Sequence, residues 1–129
     1  MKPDKIQKIL VVDDSKLIHK MYEVMLRSYA LVYALNGREG LEKLAQTPDV
    51  DMVILDINMP ELNGLEFLSH AKSNPALAKI PVVIVSTEGK EEDILRGLSA
   101  GASAYIKKPF QREQILHVID RMHAAQASA

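Results

Sequence analysis

Five short runs of aliphatic and β-branched residues, each followed by a longer stretch with helical apolar spacing, limit what this chain can fold into. The runs are 9–12 (Ile-Leu-Val-Val), 31–35, 52–55 (Met-Val-Ile-Leu), 82–85 and 104–106. Strands that read as continuous apolar runs are buried on both faces, and their alternation with helices builds a parallel sheet with helices on both sides. The expected class is α/β. Between the runs, 16 to about 29 carries Leu17, Met21, Val24, Met25 and Leu26 at helical spacing. Asn36 is a good N-cap for a helix that uses Leu41, Leu44 and Ala45. Further helices are expected over about 65–73, over 91–100 with Gly101 as C-terminal cap, and over 112–123 with Ile115, Leu116, Val118, Ile119 and Met122 inward. The result is a single domain spanning 1–129 with its core in about 6–123, and the small residues of 124–129 are expected to fray.

Composition narrows the function. The chain has no cysteine, which excludes disulfides, thiolate metal sites and cysteine nucleophiles. Sixteen basic and seventeen acidic residues give a formal charge of −1 without a basic stripe, so nucleic acid is not an expected partner. No apolar run approaches the roughly 18 residues of a membrane span, and the charged residues 1–5 do not form a signal peptide. A soluble, cytoplasmic protein is the expectation.

Polar residues gather just after the strands. Asp13 and Asp14 follow the first, Asp56 the third, Ser86 and Thr87 the fourth, and Lys108 the fifth. Ligands of open α/β sheets bind outside the carboxyl ends of the strands, and right-handed crossovers bring those loops to one edge. Three carboxylates in one pocket repel one another unless a cation joins them, and as oxygen donors they suit a hard divalent ion such as Mg2+. A lysine at that edge would pair with a carboxylate and then contact an added phosphoryl oxygen, to which Ser86 or Thr87 could donate a hydroxyl. The competing local reading is that the acids cap the following helices; it leaves the matching hydroxyls and Lys108 unaccounted for. Lys107 reads as a solvated lysine. His19, His70, His117 and His123 lack ligand spacing and read as surface residues, while Met21, Met25 and Met52 fall at core positions.

Taken together, the segments Val11-Val12-Asp13-Asp14-Ser15, Leu55-Asp56-Ile57-Asn58-Met59-Pro60, Asn63-Gly64, Val85-Ser86-Thr87-Glu88 and Tyr105-Ile106-Lys107-Lys108-Pro109-Phe110 resemble the receiver domain of bacterial response regulators, in order and spacing, over about 6–123. The resemblance implies a flavodoxin-like, doubly wound (βα)5 fold with strand order 2-1-3-4-5. It implies that a histidine kinase or phosphotransfer protein donates a phosphoryl group to Asp56. Asp13, Asp14, Asp56 and the main-chain carbonyl of Asn58 would hold Mg2+, with Mn2+ as a substitute. Ser86 aligns with the family's switch hydroxyl, Lys108 with its lysine before proline, and Tyr105 with its mobile aromatic. Asn58 and Glu88 occupy positions that tune water access to the acyl phosphate. The protein would be a phosphoacceptor that assists its own phosphotransfer and autodephosphorylation. Its altered face would be the fourth helix, fifth strand and fifth helix, over 91–123, presented to an unidentified protein target.

Three other readings fit less well. An aspartyl-phosphate phosphatase resembling the haloacid-dehalogenase family needs a second Asp where Asn58 stands. A flavodoxin-like cofactor binder needs a hydroxyl- and glycine-rich first loop, whereas Asp13-Asp14 would repel phosphate. A receiver-like docking module without phosphotransfer would not need the acidic set and Lys108. The expected scope is a stand-alone regulator, the alternative being a receiver from a larger multidomain regulator or hybrid kinase.

Overall fold

The computed structural model describes residues 6–47, 49–56, 64–87 and 91–128, with side chains as far as 122. In chain order the elements are β1 (Lys8–Val12), α1 (Lys16–Met25), β2 (Ala30–Ala34), α2 (Gly37–Gln46), β3 (Met52–Leu55), α3 (Gly64–Ser73), β4 (Val82–Ser86), α4 (Glu91–Ser99), β5 (Ala104–Lys107) and α5 (Arg112–Ser128). All strand pairs are parallel, in the order β2-β1-β3-β4-β5. This is the expected α/β topology, with the strand order changing direction between β1 and β3.

Strand period two sorts the core into two layers. Leu10, Val12, Val53, Leu55, Val82 and Ile84 pack with Leu44, Phe67, Leu68 and Ala71 from α2 and α3. Ile9, Val11, Met52, Ile54, Val83 and Val85 face Tyr22 of α1, Leu26 at its C-cap, and Ile115, Val118 and Ile119 of α5. Each central strand therefore has no solvent face, which is why 9–12, 52–55 and 82–85 are continuous apolar runs.

Capping sets several boundaries. Ser15 Oγ accepts from the Ile18 N–H and starts α1. Asn36 Oδ1 accepts from the Glu39 N–H at 2.8 Å, and Glu39 in turn accepts from the Leu35 N–H. At the end of α4, Gly101 has φ +114°, its N–H bonds to the Leu98 carbonyl and the Ala102 N–H to that of Gly97. That paired pattern is the Schellman cap, in which the residue in the left-handed region is best a glycine.

The expected helix over 16–29 ends earlier, at Met25, and its buried face is different. Leu17, Met21 and Val24 are exposed (71 %, 42 % and 63 %), while Tyr22, Leu26 and, unexpectedly, His19 are buried. Of the methionines expected in the core, Met52 is buried and Met25 half-buried. Helix α5 continues to Ser128 rather than ending near 123, through an alanine-rich stretch whose helix propensity is high. Among the described residues no helix is long and apolar enough to cross a membrane.

Candidate functional site

The ends of β1, β3 and β5 contribute to one cluster because the parallel register aligns the strands. Val12 pairs with Ala34 and with Leu55, so Asp13 and Asp56, the next residues, emerge side by side. The Asp13 N–H donates to the Ala34 carbonyl and the Asp56 N–H to that of Val12, which extends the ladder by one step under both carboxylates. Across β4 and β5, Ser86 pairs with Lys107, and the Lys108 N–H donates to the Ser86 carbonyl at 2.7 Å. Residues 95 apart in sequence meet there: Lys108 Nζ lies 3.1 Å from Asp13 Oδ2 and 3.6 Å from Asp56 Oδ2.

Carboxylate oxygens of Asp13, Asp14 and Asp56 all lie within 4.8 Å of one another. Among the described residues, three carboxylates meet one ammonium here, with Asp13 and Asp56 buried and Asp14 open to solvent. An oxygen-only donor set open to solvent on the Asp14 side fits a hard divalent ion that keeps some of its waters. The observed donors therefore match Mg2+, and Mn2+ by the same chemistry.

Ser86 is fully buried at the end of β4 and Thr87 beyond it is exposed. Tyr105 is half-buried on the α2–α3–α4 side of β5. A side chain at Gly97 would come within 2.7 Å of Ile84 Cδ1 and 3.3 Å of the Tyr105 ring, so α4 sits close to that ring only because residue 97 is glycine. Lys107 is exposed, as are His70 and His117, in line with their reading as surface residues. Asn58, Asn63 and Glu88, and the side chain of His123, lie outside the described residues.

Two residues near the cluster were not apparent in the sequence. His19, taken as a surface residue, is buried; its Nε2 lies 2.7 Å from the Asp13 carbonyl and its ring stacks on Tyr33 at 4.8 Å. Tyr22 is buried and stacked on Phe110, and its hydroxyl has no hydrogen-bond partner among the described residues. Burial first, then the nearby charges of Asp13 and Asp56, pushes its phenol pKa upward. Both lie, with Leu26, on the buried face of the α1 segment. A cavity of about 280 Å³ opens between that face and the Lys108–Phe110 segment.

The sequence matches the response regulator receiver domain family over residues 9–120. It is 36 % identical over 106 residues to the chemotaxis protein CheY1 of Helicobacter pylori, covering 80 % of this chain and 86 % of that protein. The structure of chemotaxis protein CheY4 from Vibrio cholerae superposes with a TM-score of 0.84 at 32 % identity, covering 91 % of this chain and 98 % of that one. The CheX–CheY–BeF3–Mg2+ complex from Borrelia burgdorferi contains a chain that superposes with a TM-score of 0.83 at 28 % identity, covering 89 % and 87 %.

Proposed function

The chain belongs to the response regulator receiver domain family, the phosphoryl-accepting half of two-component signalling, and on that premise we propose that Asp56 is its phosphoacceptor. One observation carries the assignment. Asp56 is the carboxylate that shares both the acidic cluster and the Lys108 ammonium with Asp13, and it lies at the end of the central strand β3. The donor would be a phosphohistidine on a histidine kinase or phosphotransfer protein. An Asp56 carboxylate oxygen attacks phosphorus in line, the P–N bond breaks, and the imidazole leaves with its electron pair and takes up a proton. The product is an acyl phosphate on Asp56.

Asp13, Asp14 and Asp56 would hold Mg2+, completed in our reading by the Asn58 carbonyl. Bound there, the ion would offset charge on the phosphoryl oxygens, which is the main demand of such a transfer. Lys108, already between two carboxylates, would turn to the incoming phosphoryl group. Ser86, buried at the strand end, would supply a hydroxyl to it. Phosphorylation adds about 1.5–2 negative charges and three acceptors. Two or three new charge-assisted bonds, each about 1.5–3 kcal/mol, reach the roughly 5.5 kcal/mol that reverses a 1:99 equilibrium. Tyr105, held beside Gly97, is the residue we expect to respond, altering the face formed by α4, β5 and α5 for a protein target. Asn58 and Glu88 would set how fast water removes the phosphoryl group. A cytoplasmic setting belongs to the same proposal.

Incubation with acetyl phosphate and Mg2+, read by intact mass, tests the assignment. Wild-type protein should gain one phosphoryl group and Asp56→Asn none. An undiminished gain in the Asn variant would overturn it.

A further inference from the structure

We propose that His19 is a positioning residue for the metal-binding carboxylates, its ring N–H holding the main chain of Asp13 so that Asp13 and Asp14 meet Asp56 at ligand spacing. The proposal rests on the reading of Asp13, Asp14 and Asp56 as a Mg2+ site.

Asp13 is held from four directions. Its N–H donates to the Ala34 carbonyl at the end of β2, and its Oδ1 accepts from the Ser15 N–H at 2.9 Å. Its Oδ2 accepts from Lys108. Its own carbonyl lies 2.7 Å from His19 Nε2, in a contact buried on both sides. A carbonyl oxygen only accepts, so Nε2 carries the hydrogen. Stacking on Tyr33 at 4.8 Å and 23° fixes the plane of the ring, and hence the direction of that hydrogen. The contact ties the first turns of α1 back to the end of β1 across the turn that carries both acids. Asp14 is exposed, so the backbone of the same turn is what sets its carboxylate relative to Asp56. Without the N–H, a buried carbonyl would lose its partner and the turn would move to find another. Ligand affinity is sensitive to such supporting bonds: their loss commonly costs about 10- to 100-fold.

The test is Mg2+ titration by calorimetry of wild type, His19→Leu and His19→Gln, with thermal denaturation in chelator as the metal-free control. Leucine keeps apolar volume without a donor; the glutamine amide restores an N–H at similar reach. His19→Leu should bind Mg2+ about 10-fold more weakly or worse, with most of the loss recovered in His19→Gln. Wild-type affinity in the Leu variant, or equal losses in both, would assign His19 to packing and overturn the proposal. Should the Leu variant not fold, His19→Gln and Tyr33→Leu decide instead. Near-wild-type binding by the first with weakened binding by the second supports the assignment, and any other pattern overturns it. Failure of the wild-type protein to bind Mg2+ would remove the reading of the site itself, a separate result.

Discussion

At the amino edge of the sheet, Asp51 is 6 % exposed and its Oδ2 accepts main-chain N–H bonds from Gln7 at 2.9 Å and Lys8 at 3.0 Å. Beside it, Lys8 Nζ meets Asp49 at 2.7 Å in a pair open to solvent. The carboxyl edge uses the same residue types differently. There Asp13, Asp14 and Asp56 crowd together around one lysine. At the amino edge each acid has donors of its own, and its charge fastens the loop before β3 to β1. At the carboxyl edge the described acids outnumber the described cations, an excess that a divalent ion and an exchangeable phosphoryl group would use in the proposed function. Function concentrates where local consistency is broken.

The largest effects should therefore separate the two edges by activity. Asp56→Asn should abolish phosphoryl gain while leaving the melting temperature unchanged or raised, since one of three crowded charges is removed. Asp51→Ala should do the opposite, losing stability and keeping phosphorylation. Loss of phosphorylation in Asp51→Ala at a temperature where it is folded would break the distinction. Lys108→Ala comes next, with a phosphorylation rate lower by about 100-fold, the scale on which removing one charge-stabilising donor acts. Stopped-flow or timed mass measurement with acetyl phosphate checks it.

The contrast between edges was partly visible in the residue order. Asp13, Asp14, Asp56, Ser86 and Lys108 each interrupt or follow an apolar run, so strand ends and site residues were read together. The phase of α1 was not visible. Its buried face is built from Ile18, His19, Tyr22 and Leu26, and two of these carry polar tips that a count of apolar residues undervalues. The rival stripe, Leu17, Met21 and Val24, has more hydrophobic character and yet is exposed. Burial of His19 depends on a carbonyl and a tyrosine ring from β1 and β2, partners that no local pattern encodes.

Metal addition gives an intermediate effect confined to one edge. A ligand that binds only the folded state stabilises it by about 2.7 kcal/mol at one hundred times its dissociation constant. Mg2+ at that excess should raise the melting temperature of wild type and of Asp51→Ala, and leave a variant carrying both Asp13→Asn and Asp14→Asn unmoved. An equal rise in all three would place the bound ion elsewhere. Without metal, Asp51→Ala should cost about 1–3 kcal/mol in denaturant titration, because two main-chain N–H groups lose a charged acceptor.

The smallest expected effect is at Asp49, and it concerns pH. The hydrogen bond from Lys8, more than any other influence, lowers the Asp49 carboxyl pKa below its ordinary value. A carboxyl whose folded pKa is depressed binds its proton less readily than in the unfolded chain. Its contribution is present above the unfolded pKa and is lost as pH falls through the depressed folded value. Asp49→Asn should therefore remove a small part of the stability near neutral pH and flatten the acid limb just below the usual carboxylate range. Because the pair is exposed, raising salt to about 1 M, where the screening length is near 3 Å, should erase most of the difference between variant and wild type. The buried Asp51 contacts should resist the same salt. If the Asp49 and Asp51 variants respond to salt alike, the amino edge is one coupled network rather than a buried fastener with a loose pair beside it.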